Sequence, residues 1–361
     1  MNVALAGLAA SGKTCLFNAL CEGAVDSAAH PARPDHPNRA AVSVPDERLQ
    51  WLAELYGAPK QTPVHIEWLD LPGLAPGRAD LASQNTAIME HLRRADALAL
   101  VLRAFESDRA PHPLDRIDPR ADRNLLLSEF LLADLDIILR RIEKLEKQIQ
   151  KPTPDCDAHR RELKLLKRCQ EALEAEKPLH DCLESESERQ MVRGFAFLTE
   201  KPVLTILNAG EEVAGTPEKV VAEFSDLGEP LRALCASLEA EIGALPPEDR
   251  PAFLEEMGLK HFHTIDVLRG VCAALDRITF YTCSEKEVTA RSVPRGTRAV
   301  EAAGEVHTDM ARGFIRAEVV SYEYLRGAGT AKQARAEGHV RAEGRDYDVQ
   351  DGDIIFFHFS R

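Results

Sequence analysis

The stretch "VALAGLAASGKT", Val3 to Thr14, decides how the first half of this chain is read. Val3 to Gly7 is an apolar run that ends in a Gly-rich turn, and Gly7 to Thr14 fits G-x-x-x-x-G-K-[ST]. In such a loop the glycines let successive backbone N–H groups turn inward and cradle phosphate oxygens. The cradle here spans Gly7, Leu8, Ala9, Ala10, Ser11 and Gly12. Lys13 is placed to reach the β- and γ-phosphates, and the Thr14 hydroxyl to ligate Mg²⁺. A helix opening near Lys13 points the positive end of its dipole at the same anion, which brings Cys15, in its first turn, into the site.

Three further apolar runs follow. They are Val64 to Gly73 (VHIEWLDLPG), Ala97 to Phe105 (ALALVLRAF) and Pro202 to Leu207 (PVLTIL). Continuous apolar runs separated by helical segments predict parallel strands covered on both faces, hence an α/β, Rossmann-like domain. Asp70 ends the second run and is followed by Gly73. After a phosphate loop, this Asp-x-x-Gly makes Asp70 a candidate for the Mg²⁺ shell and the Gly73 N–H a candidate γ-phosphate contact. The fourth run ends in Asn208-Ala209-Gly210-Glu211. A guanine-reading strand end is Asn-Lys-x-Asp, whose Asp accepts from the two Watson–Crick donors of the base. Glu211 is one methylene too long for that bidentate geometry, and Ala209 has no stem to cover the base. The expectation is ATP in preference to GTP.

From about Leu125 to Pro202 strand signals are missing. Leu135, Ile138, Ile142, Leu145 and Ile149 follow the 3-4 spacing of a coiled-coil seam. Prolines at 152 and 154 break the pattern, and a second charged helix carries Leu163, Leu166 and Leu173 on one side. An antiparallel helical hairpin and a pair of ordinary amphipathic helices packed on the core both fit. After residue 277 short β-rich pieces alternate with Gly and charged turns, predicting a separate α+β domain. The expected division is a nucleotide domain from 1–124 and 199–277, a helical insert at 125–198, and a C-terminal domain at 278–361.

The bulk numbers set limits. A chain of 361 residues suggests two or three domains, and a net charge of −14 argues against the whole molecule being a nucleic-acid binder. The eight cysteines have neither Cys-x-x-Cys nor zinc-finger spacing, as expected of a reduced, cytoplasmic protein. No apolar run is long enough for a membrane span, and the N-terminus lacks the features of a secretion signal, so no membrane partner is expected.

These residues resemble the Obg-like ATPases, the YchF family within the P-loop GTPase class, over nearly the whole chain. The resemblance rests on "GLAASGKTCLFNAL", "HPNRAAVSVPDERLQWLAELY", "ADALALVLRAF", "NAGE" and "CASLEAEI". It rests above all on the C-terminal "TFYTCSEKEVTARSVPRGTRAVEAAGEVHTDMARGFIRAEVVSY" and "EGRDYDVQDGDIIFFHF", which look like the family's TGS domain. The resemblance implies a G domain, an inserted helical coiled coil and a β-grasp-like TGS domain. It implies slow, Mg²⁺-dependent ATP hydrolysis, a ribosomal partner, and RNA contact through a groove between the TGS and G domains. It assigns Ala236 and Ser237 to the loop behind the base. It also assigns His112 to hydrolysis, because Leu74, after Gly73, stands where other GTPases carry a water-orienting glutamine.

Three departures follow from the same resemblance. The family's Pro-Asn-Val is Ala9-Ala10-Ser11 here, so a K⁺ role is not expected. The Mg²⁺-binding threonine of switch I is missing from Pro34 to Asn38, where Asp35 is the nearest acidic substitute. The Gly-rich segment after switch II is replaced by Gly77 to Leu92, which should be stiffer. Slower hydrolysis than is usual in the family is expected.

Other candidates carry less. A helix N-terminus lowers thiol pKa, which would make Cys15 redox-sensitive; the alternative is a small buried residue under the loop. His307 and Asp309 are expected to order a turn. His261 to His263 and Leu183 to Glu188 are expected on solvated faces. Arg291, Arg295, Arg298, Arg312 and Arg316 fit either RNA phosphates or a salt-bridged surface. A small-molecule kinase fits poorly, because an Arg-rich lid is missing and Asp-x-x-Gly with Asn-x-x-Glu would go unexplained.

Overall fold

The computed structural model describes residues 1–21, 32–33, 36–108, 110–150, 155–228 and 230–360. Its strands are β1 (Asn2–Ala6), β2 (Asn38–Ser43), β3 (Lys60–Thr62), β4 (His65–Asp70), β5 (Ala97–Ala104) and β6 (Val203–Ala209). They continue with β7 (Leu231–Leu234), β8 (Arg277–Cys283), β9 (Glu287–Pro294), β10 (Phe314–Ser321), β11 (Arg341–Glu343) and β12 (Asp353–Phe359). The first helices are α1 (Lys13–Leu20), α2 (Glu47–Tyr56), α3 (Ala82–Arg94), α4 (Pro119–Ile149) and α5 (Cys156–Glu174). The chain divides into two compact units: Met1–Ala41 with Glu67–Gly270, and Val42–Ile66 with Val271–Arg361.

The first unit is built on a six-stranded sheet in the order β2-β4-β1-β5-β6-β7. The predicted apolar runs form its centre. β1 pairs in parallel with β4 and β5, β5 with β6, and β6 with β7. β1 and β5 are buried almost throughout because helices cover both faces, which is why their sequences do not alternate. The chain leaves β1 for β4 on one side and β5 on the other. That reversal opens a crevice at the carboxyl ends of the strands, where α/β sheets bind ligands.

α4 begins at Pro119, six residues before the expected insert. Asp118 caps it by accepting from Ala121 N, and Pro119 fills the first turn, where no N–H is needed. Ile138, Ile142 and Leu145 pack against Leu165, Leu166, Cys169 and Leu173 of α5. Leu163, expected on that seam, is only half-buried, and Leu165 takes the inner place. Arg141–Glu162 and Lys167–Glu146 ion pairs flank the contact.

The second unit has the sheet order β11-β10-β12-β8-β9-β3. One face packs on Ala299, Ala302 and Ala303, and the other on Leu49, Leu52 and Ala53 of α2. β3 extends the edge in parallel with β9, and Thr62 Oγ1 donates to Glu287 Oε1 at 2.7 Å. The expected placing of 42–66 in the nucleotide domain therefore needs correcting, since these residues pack with the C-terminal strands. α2 has an apolar stripe that a local pattern cannot assign to either sheet.

Asp134 on α4 is fully buried and holds four donors: Arg93 Nη1 at 2.6 Å, Leu198 N, Thr199 N and Thr199 Oγ1. Removing one member of a buried charged cluster costs roughly 3–5 kcal/mol. Asp134→Ala is expected to lower unfolding stability by about that amount, measured by urea denaturation of the full chain. A loss under about 1 kcal/mol would show that the cluster does not bind α3, α4 and the following segment together.

Candidate nucleotide-binding site

The loop from Gly7 to Gly12 joins β1 to α1, as its spacing predicted. Gly12 has φ +90°, and a Cβ there would meet Asn208 Nδ2 at 2.0 Å, so only glycine fits. Ala10 holds φ +59°, a left-handed conformation that costs an L-residue about 1 kcal/mol. Lys13 is buried, and its Nζ donates to Leu8 O at 2.7 Å and Gly7 O at 3.2 Å. Two of three ammonium donors are thereby used, leaving one for a phosphate oxygen. Burial depresses the Lys13 ammonium to about 8, opposed by the charge of Asp70.

The Asp70 carboxylate lies at the end of β4, fully buried. Its Oδ2 accepts from Thr14 Oγ1 at 2.9 Å and from Asn38 Nδ2 at 3.1 Å. Among the described residues its Oδ1 has no hydrogen-bond partner. Burial raises its pKa, while Thr14, Asn38 and Lys13 pull it down. An orphaned carboxylate oxygen beside a hydroxyl, under a phosphate loop, suits a hard divalent cation such as Mg²⁺. Asn38 escaped notice in the sequence because it lies in the altered switch I and its partner is 32 residues away. Asp35 lies outside the described residues.

Gly73 packs directly on the loop: a Cβ there would meet Ala9 N and Cα at 2.4 Å. Leu74 N donates to Gly7 O at 3.0 Å. Asn85 on α3 holds the next turn through both atoms of its carboxamide, accepting from Ala75 N and donating to Ala75 O. Asn85 lies within the segment Gly77 to Leu92 and ties it to the turn that precedes it.

The end of β6 closes the crevice. Asn208 Nδ2 donates to Ser11 O at 3.1 Å, and its Oδ1 accepts from Ala236 N at 3.1 Å. Asn208 therefore spends its carboxamide on the protein and joins the phosphate loop to the Ala236–Ser237 loop. The helix Ala236–Gly243 is anchored behind by Glu239, which accepts from His263 N, His263 Nδ1 and Thr264 N. That contact raises the His263 pKa. His263 is buried, not solvated as expected. Glu211 is exposed beyond Ala209 and Gly210.

Two sequence candidates look different in place. His112 is buried, with Nε2 at 2.9 Å from Asp122 Oδ2 and Nδ1 accepting from Leu114 N, so Nε2 carries the proton. Among the described residues its hydrogen bonds go to these groups and none to the phosphate loop. The Cys15 thiol is pushed up to about 11, mainly by burial, then by Cys235 and Glu241. That direction favours a packing role under the loop over a redox-sensitive thiol. In the second unit, Arg295, Arg298 and Arg316 pair with Asp276, Asp346 and Glu318, which favours the salt-bridged surface. His307 caps a short helix by accepting from Asp309 N, as expected of a turn.

A phosphate loop, an Asp-x-x-Gly turn and an Asn-bearing strand end on one parallel sheet define a P-loop nucleotide-binding domain of the GTPase class. Residues 2–144 match the family described as 50S ribosome-binding GTPase, and residues 277–360 match the C-terminal domain family of YchF GTPases, described as a protein of unknown function. The chain is 34% identical to the ribosome-binding ATPase YchF of Bacillus subtilis (strain 168), covering 100% of this chain and 99% of that one. It is 30% identical to Obg-like ATPase 1 of Caenorhabditis elegans, covering 100% and 92%. The solved Schizosaccharomyces pombe YchF GTPase matches with a TM-score of 0.84 at 25% identity, over 99% of this chain and 97% of that one. The chain belongs to the YchF family of Obg-like ATPases. Among the described residues no helix is long and apolar enough to cross a membrane.

The contact between Gly12 and Asn208 can be tested by a double-mutant cycle. Gly12→Ala adds left-handed strain and a clash, and Asn208→Ala leaves Ser11 O and Ala236 N unpaired, each at about 1–3 kcal/mol. The double variant is expected to be more stable than the sum of the two losses by at least ~1 kcal/mol in urea unfolding, because the clash disappears with the carboxamide. Strict additivity would contradict it.

Proposed function

We propose that this chain is a slow, Mg²⁺-dependent ATPase that prefers ATP to GTP and acts as a ribosome-associated switch in the cytoplasm. The observation that carries the base preference is the end of β6. Asn208 holds the loops together and leaves base reading to residue 211, where a Glu stands exposed without a Lys stem at 209. The ribosomal partner is inferred from relatives named ribosome-binding ATPases. We read α4 and α5 as the family's coiled-coil insert and the C-terminal sheet with its helices as its β-grasp-like TGS domain.

In this reading the N–H groups of Gly7 to Lys13 and the remaining Lys13 donor hold the β- and γ-phosphates. Thr14 and Asp70 hold Mg²⁺, which neutralises phosphate charge when bound. The Gly73 N–H meets the γ-phosphate, which requires the segment packed on Ala9 to shift and so couples nucleotide state to switch order. Hydrolysis has no polar side chain at Leu74 to orient water. His112 would have to give up its buried bond to Asp122 to serve, which supports a slow rate. The same burial of His112 favours a second reading, a nucleotide-gated binding module in which hydrolysis is incidental.

Equilibrium titration of ATP against GTP, with and without Mg²⁺, tests the base preference; tighter GTP binding would sink it. Ala209→Lys combined with Glu211→Asp rebuilds the guanine element and is expected to shift the GTP/ATP affinity ratio by about 10-fold or more. Multiple-turnover assays of His112→Ala beside Lys13→Ala separate turnover from binding. A Lys13→Ala protein that still engages ribosomes but no longer responds to ATP would favour the gating reading.

A further inference from the structure

Arg103 is a buried charge in the first unit that the stability of the sheet does not account for. It stands at the end of β5, a strand otherwise apolar, and is 2% exposed. Burying a guanidinium costs several kcal/mol unless its donors are paired. Among the described residues its hydrogen bonds go to backbone carbonyls and none to a carboxylate. Its partners are backbone carbonyls of two segments. Nη1 donates to Ala10 O at 3.2 Å and to Ala110 O, Nε to Phe105 O at 3.0 Å, and Nη2 to Ser107 O at 3.5 Å. The guanidinium also lies 4.5 Å over the Phe105 ring. A planar group with five fixed donors can hold both segments at once, and Lys cannot.

Its neighbour in the β5–β6 register is Asn208. The two side chains grip consecutive carbonyls of the phosphate loop, Arg103 that of Ala10 and Asn208 that of Ser11. In a planar trans peptide the C=O and the following N–H point in opposite directions. Holding these two carbonyls from the sheet side therefore turns the N–H groups of Ser11 and Gly12 to the other side of the loop. Arg103 differs from Asn208 in its second attachment, the segment Phe105 to Ala110 that leads to His112.

We propose that Arg103 is a positioning residue that couples the phosphate loop to residues 105–108 and 110–114, so that a phosphate in the cradle changes the order of the segment carrying His112. This rests on the site being a nucleotide phosphate site. It does not depend on His112 being catalytic.

The test uses the full chain and Mg-ATP, with calorimetric binding and amide hydrogen exchange on wild type, Arg103→Lys and Arg103→Gln. In wild type, saturating Mg-ATP is expected to change exchange over Glu106 to Leu114 by about 10-fold or more. Arg103→Lys keeps the charge but loses the fork. It is expected to retain exchange protection in β5 and β6, to bind Mg-ATP about 10-fold more weakly, and to lose the loop response at saturation. A purely structural Arg103 would lower protection everywhere and leave the ligand response intact. The coupling is overturned if Arg103→Lys responds as wild type does, or if wild type binds Mg-ATP with no change in the loop. Wild type that binds no nucleotide overturns the phosphate-site reading and the coupling together. Should Arg103→Gln fail to fold, Arg103→Lys and the wild-type response decide alone.

Discussion

The site depends on one neutral side chain. The Asn208 carboxamide donates to the Ser11 carbonyl and accepts from the Ala236 amide, so both its ends are spent inside the protein. Each bond adds only about 1 kcal/mol net, but leaving either buried partner unpaired costs about 1–3 kcal/mol. Gly12 makes the contact possible by having no Cβ where the carboxamide sits. The phosphate loop, the strand end and the start of the helix Ala236–Gly243 are thereby set in one geometry.

Around this contact the polar groups of the first unit are concentrated at the carboxyl ends of β1, β4, β5 and β6. Lys13, Asp70, Arg103 and Asn208 are all buried there, where an apolar residue would favour stability. Burial has opposite effects on Lys13 and Asp70, lowering the one pKa and raising the other, and their mutual charge opposes both shifts. Such a pair suits the binding of a polyanion with a divalent cation, since each brings the charge that its partner lacks. Asp134 and Glu239 differ: each is a buried carboxylate with its oxygens occupied by donors, and each fastens one element to the next.

How much was legible varies by element. The four apolar runs located β1, β4, β5 and β6 because a strand covered on both faces needs no alternation. β7 and β3 were too short to stand out, and β3 is a polar edge. The start of α4 was readable in Asp118-Pro119, a capping signal that the 3-4 periodicity further along overshadowed. His263 reads as a surface residue in the sequence because nothing local announces that Glu239, 24 residues earlier, draws it inside. For Cys15 the helix N-terminus is legible in the sequence, whereas the burial that raises the thiol pKa is not.

By itself the sequence determined what local chemistry determines: the phosphate loop and its lysine, the Asp-x-x-Gly turn, the Asn-x-x-Glu strand end, and the strand and helix periodicities. These depend on residues within a few positions of one another. Only the tertiary structure decided that 42–66 pack with the C-terminal strands, that Asn38 shares Asp70 with Thr14, and that Arg103 grips two loops from below. Those partners lie far apart in the chain or are backbone carbonyls, which are identical at every position. Folding brings them together because a buried donor must find an acceptor, and no local pattern records which one it finds.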